Sequence, residues 1–83
     1  MQMTPDQCRM ARAALKLSIP ALADLADVRA NTVSHFERGG DSYVSTIGKL
    51  QKALEPQGVV LVGDGEASRA GGAGVRLKQG AGE

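Results

Sequence analysis

Apolar residues recur at helical spacing through the first two thirds of this chain, and the pattern then changes. Cys8, Ala11 and Leu15 share an i, i+3, i+7 face, which predicts a first helix running to about Lys16 with Cys8 in the core. Thr4-Pro5-Asp6-Gln7 signals its start. Thr4 can cap, Pro5 fits the first helical position, where an N–H has no partner anyway, and Gln7 can reach back as in a capping box. Ser18 is a natural N-cap for a second helix, with Pro20 in its first turn and Leu22, Leu25 and Ala26 as its apolar side. A third run, 30–38, places Val33, Phe36 and the Thr32 methyl on one flank and Ala30, Asn31, Ser34, His35 and Arg38 on the other. Gly39 suits a left-handed C-terminal cap. Asp41 or Ser42 can cap a fourth helix reaching about Glu55, with Val44, Ile47, Leu50 and Leu54 on its buried side. Gly48 inside that helix costs about 1 kcal/mol relative to Ala, and a close approach by another segment would account for it.

Pro56-Gln57-Gly58 ends the helical pattern and divides the chain into a helical unit, 1–56, and an extension, 57–83. Val59-Val60-Leu61-Val62 is an uninterrupted apolar run, read as a strand buried on both faces. Val75-Arg76-Leu77-Lys78 alternates, as a strand with one wet face would. Between them 63–74 is rich in Gly and small residues, as a mobile loop would be. A lone hairpin is marginal in water. Val59, Val60, Leu61, Val62, Val75 and Leu77 are therefore expected to form a dimerisation element, pairing with the same strands of a second subunit. The alternatives are packing back onto the first and fourth helices, or disorder beyond Gly63.

The second and third helical runs are each about eight residues long and are joined by Ala26-Asp27-Val28-Arg29, a connection short enough to read as a helix-turn-helix. The outward flank of the third carries short donors and acceptors in place of the Lys and Glu pairs of an ordinary solvated face. Such groups suit base edges in a major groove.

The pattern Arg12-x-x-Leu15-x-x-Ser18-x-x-x-Leu22-Ala23-x-x-Ala26-x-Val28-x-x-x-Thr32-Val33-x-x-Phe36-Glu37-Arg38-Gly39 resembles the lambda-repressor-like, Xre/Cro type of DNA-binding domain, from about Thr4 to Glu55. The resemblance implies a mainly α fold of four helices, here followed by a C-terminal β-hairpin or strand pair. It also implies base contacts from Ala30, Asn31, Ser34 and His35, with Thr32 and Arg38 nearer the DNA backbone, and an Arg12–Glu37 pair that locks the first helix to the recognition helix; a solvated pair is the other reading. A carboxamide at Asn31 can bond adenine N6 and N7 together, Ala30 could touch a thymine methyl, and His35 could donate to a guanine acceptor. The chain departs from the family at several points. Ile19 and Pro20 stand where a phosphate-binding Gln is common. Asp27 stands at the usual Gly of the turn, which needs a left-handed backbone. Arg29 replaces a Ser or Thr cap; it should cap poorly but can extend to a phosphate or a guanine edge. Asp41 leaves the following loop less suited to phosphate.

Composition narrows the function further. The chain of 83 residues has a net charge of +1, so any affinity for phosphate must come from a local cluster. A single cysteine excludes an intrachain disulfide, and neither an 18-residue apolar stretch nor a signal peptide is evident, so a cytoplasmic protein at the bacterial nucleoid is expected. Gly63-x-Gly65-x-x-Ser68 lacks the following helix that a dinucleotide site needs, and Ser34 and His35 are adjacent along one helix instead of converging. An enzyme is not expected, nor a metal or cofactor. The leading expectation is a homodimeric, sequence-specific transcriptional regulator, by default a repressor, on an inverted-repeat operator of double-stranded DNA. The alternative is an antitoxin or protein-interaction module whose C-terminal tail binds a partner protein, with DNA binding secondary.

Overall fold

The computed structural model describes residues 2–62 and 74–77, and it contains four helices followed by a two-stranded antiparallel pair. Helix α1 spans Pro5–Ala14 and starts as its sequence predicts. The Gln7 N–H donates to Thr4 Oγ1 at 3.1 Å while the Thr4 N–H donates to Gln7 Oε1 at 2.9 Å, a complete capping box. Helix α2 spans Ile19–Ala26, capped by Ser18, whose hydroxyl oxygen accepts from the Ala21 N–H. Helix α3 spans Ala30–Glu37 and α4 spans Val44–Leu54, ending in a 3₁₀ turn at Glu55–Gln57.

Three of these helices end in the same way. After α1, α2 and α3 one residue adopts a left-handed conformation: Lys16 at φ 57°, Asp27 at φ 58° and Gly39 at φ 88°. In each case two backbone bonds close the turn, Leu17 N–H to Arg12 O with Lys16 N–H to Ala13 O, Val28 to Ala23 with Asp27 to Asp24, and Gly40 to His35 with Gly39 to Phe36. This is the Schellman arrangement, and it satisfies carbonyls that the helix end leaves without partners. Asp27 and Gly39 occupy it as expected. Lys16 does so with no sequence signal, which is why α1 stops at Ala14 and not near Lys16.

The core is a single apolar cluster. Leu22, Ala23 and Ala26 of α2 meet Val33 and Phe36 of α3 and Ile47, Leu50 and Leu54 of α4, with Cys8 and Ala11 of α1 and Met3 closing one side. Two positions read as core from periodicity are not. Leu25 and Val44 are exposed, at 48% and 71%, because neither packs into the apolar cluster that the described elements form. Helix α4 also starts differently: Tyr43 takes the N-cap position without a side-chain cap bond, so neither Asp41 nor Ser42 performs that role. Gly48 has open space where a side chain would project, so among the described residues no close approach explains it.

Strand β1, Val59–Val62, pairs with β2, Gly74–Leu77, in the register Val59 opposite Leu77 and Leu61 opposite Val75. The pair folds back on its own chain. Val59 and Leu61 are buried in the helical core, Val75 packs against it, and β2 lies on α1. Gln7 ties them, its Nε2 donating to the Gly74 carbonyl at 3.1 Å. The hairpin is thus stabilised by α1, one of the alternatives weighed for it. Val60 is only half-buried, so β1 is not buried on both faces, and Leu77 is exposed beside Arg76, so the second strand does not keep the alternation expected of it. Of the loop expected over 63–74, Gly74 is instead the first residue of β2; the rest of it, and the end of the second strand at Lys78, lie outside the described residues.

Candidate nucleic-acid interface

The outward face of α3 follows from how the helix is held. Val33, Phe36 and Glu37 are buried, which fixes the rotation of α3 and turns Asn31, His35 and Arg38 to solvent. Arg29, at the N-cap position with extended backbone (φ −81°, ψ 150°), makes no cap bond with its side chain and is exposed. Ser34 and Thr32 are half-buried, and the Ser34 hydroxyl accepts from Arg38 Nη1 at 3.2 Å. Ala30, placed on the outward flank by its position in the sequence, is half-buried and packed against the core. The face that remains outermost is Asn31 and His35, flanked by the cations of Arg29 and Arg38.

The turn between α3 and α4 forms a second wall beside this face. Asp41, Ser42 and Tyr43, with Thr46 of α4, enclose with Asn31, Thr32 and His35 an open cleft of about 460 Å³. Tyr43 is 83% exposed. Neither Tyr43 nor Thr46 was legible as part of the site, because the packing of α4 on α2, and not any local motif, sets the turn beside α3. Asp41 places a negative charge on the cleft wall.

The far end of α3 is gripped by α1. Glu37, 5% exposed, receives Arg12 Nε and Nη2 on its two carboxylate oxygens, each at 2.9 Å, and the Cys8 thiol at 3.3 Å. Arg12 also donates Nη1 to the Leu17 carbonyl at 3.1 Å, and Arg9 donates to the Glu37 backbone carbonyl and to Asp6. The forked geometry of a guanidinium suits a carboxylate held in one orientation. Burial pushes the Glu37 carboxyl up, but the bonds from Arg12 and Cys8, with the charges of Arg12 and Arg9, outweigh it and leave the group below its ordinary range. Burial, followed by the bond to Glu37, pushes the Cys8 thiol up to about 12. Cys8 is therefore an unreactive core thiol at neutral pH.

No group of three His, Cys, Asp or Glu side chains among the described residues could hold a metal ion, and no described helix is long and apolar enough to cross a membrane. No family model matches the chain, nor does any curated protein.

Proposed function

We propose that this chain is a sequence-specific DNA-binding regulator that acts as a homodimer on an inverted-repeat operator, with α3 as the recognition helix. The observation that carries the reading is the outer face of α3: Asn31 and His35 stand exposed between Arg29 and Arg38, on a helix whose far end is clamped through Glu37. Base reading needs short donors and acceptors held in fixed register, with cations alongside to meet phosphate. The α2–α3 turn adds to the case, and so does the resemblance to the lambda-repressor-like pattern. Repression by occluding the promoter is the simplest mode for a unit of this size. Half-sites would lie about one turn of the duplex, roughly 34 Å, apart.

The rival reading, a tail completed by a partner protein, is less well supported. Val59 and Leu61 are already buried in the chain's own core, leaving Val60, Leu77 and the strand edges of the hairpin to meet a second copy.

Selection of bound sequences from a random duplex pool by the full chain tests the proposal. An enriched palindrome is expected, and Asn31→Ala or His35→Ala should weaken binding to it by about 1 to 3 kcal/mol while changing non-specific binding little. Equal weakening on all sequences would make these two residues backbone contacts, and no enrichment would rule out independent sequence recognition.

A further inference from the structure

Gly40 does not sit where the backbone demands glycine: among the described glycines, positive φ belongs to Gly39 and Gly58. What excludes a side chain at position 40 is His35. A Cβ there would overlap Cδ2, Cε1 and Nε2 of the His35 ring, so the imidazole rests directly on the Gly40 backbone. The approach is fixed by the end of α3, where the Gly40 N–H donates to the His35 carbonyl at 2.9 Å. Gly40 is thus joined to His35 twice, by the turn's backbone hydrogen bond and by contact with the ring. From that seat the ring forms one side of the cleft that Asn31 and Tyr43 also line.

We infer that Gly40 is a specificity-determining positioning residue, the seat that orients the His35 imidazole for reading one base pair in each half-site. The inference rests on the DNA-binding function proposed above. An exposed histidine on a helix ordinarily samples several rotamers, and selecting one on binding costs conformational entropy. A ring already resting on the backbone presents its nitrogen edge in one direction, so less of that entropy remains to be lost. Any side chain at position 40 removes the seat and swings the ring away.

The test is Gly40→Ala in the full chain. The fold should tolerate it, because φ at this position lies outside the left-handed region and the atoms displaced are the far end of one exposed side chain. Duplex selection is run with the wild type, Gly40→Ala, His35→Ala and the double variant. Gly40→Ala should lower discrimination roughly tenfold at the base pair whose preference is lost in His35→Ala, with other positions unchanged. In the His35→Ala background it should change nothing further.

An unchanged selected sequence in Gly40→Ala would overturn the inference while leaving the DNA reading intact. So would uniform weakening on all duplexes, or an added effect without His35, since either makes Gly40 only a turn residue. If the wild type itself enriches nothing, the DNA reading fails and this inference falls with it. A readout that needs no DNA is the nuclear Overhauser contact between the His35 ring protons and the Gly40 α protons. It should be strong in the wild type, and its absence there would also overturn the inference.

Discussion

Arg12 and Glu37 meet through two hydrogen bonds of 2.9 Å that fasten the last turn of α1 to the last residue of α3. Glu37 is almost wholly buried and the Arg12 side chain is about a fifth exposed (22%). Replacing only Arg12 therefore strands a buried carboxylate. Arg12→Leu should lower stability by about 3 kcal/mol, toward the low end for broken buried pairs because of that residual exposure. Urea unfolding measures it. A loss well below 1 kcal/mol would show that the pair behaves as an exposed one.

The same network predicts the acid limb of stability. The folded Glu37 carboxyl lies below its unfolded value of about 4.3. Its contribution is present in full above that value and is lost as pH falls through the lower folded one. In Glu37→Gln the contribution is absent, so the stability difference between wild type and variant should shrink as pH is lowered through that window. A difference that stays constant with pH would remove the carboxylate's ionisation from the account.

At the alkaline end the sign reverses. The folded Cys8 thiol is pushed up to about 12, whereas an unfolded thiol ionises near about 8.5. The stability held in the protonated thiol is complete below the unfolded value and falls as pH rises from there toward 12. Cys8→Ala should lack this decline. Comparing the two proteins in urea at successive pH values isolates the thiol's contribution from everything the two share.

Lys16 holds a left-handed conformation that costs an L-residue roughly 1 to 2 kcal/mol. Lys16→Gly should raise stability by about 1 kcal/mol after the added freedom of the unfolded chain is subtracted. Asp27→Gly should gain less, since Asp tolerates this region better. Thermal unfolding of the two variants side by side tests the order, and a loss for Lys16→Gly would refute the account of how α1 ends.

Leu61 contributes to the core from beyond the helices, at 8% exposure. Leu61→Ala should cost about 2 kcal/mol in the stability of a single chain. For the same reason, a chain ended at Gln57 would lose both Val59 and Leu61 and should be markedly destabilised. If truncation left the unfolding of the isolated chain unchanged, the tail would serve only contacts between chains.

The sequence by itself determined the features that depend on neighbours along the chain. The Thr4 and Ser18 caps, the prolines in the first turns and the left-handed Gly39 are decided by bonds within four or five residues, so local residue types suffice to read them. The Arg12–Glu37 pair spans a longer separation and was legible only through the resemblance of the whole pattern. Tertiary structure decided the rest. Periodicity marks a broad apolar stripe on a helix, but which part of it is covered depends on what packs there, and so Leu25 and Val44 are left exposed while Ala30 is partly covered. The apolar strand could have served a second subunit or its own core. Folding of the strand pair back onto its own chain, with β2 against α1, placed Val59 and Leu61 of β1 in the core, where they join the apolar cluster of the helices. Gly40 shows the same division most closely: its neighbour Gly39 is required by the backbone, whereas the space at Gly40 is taken by a ring that only the folded turn brings onto it.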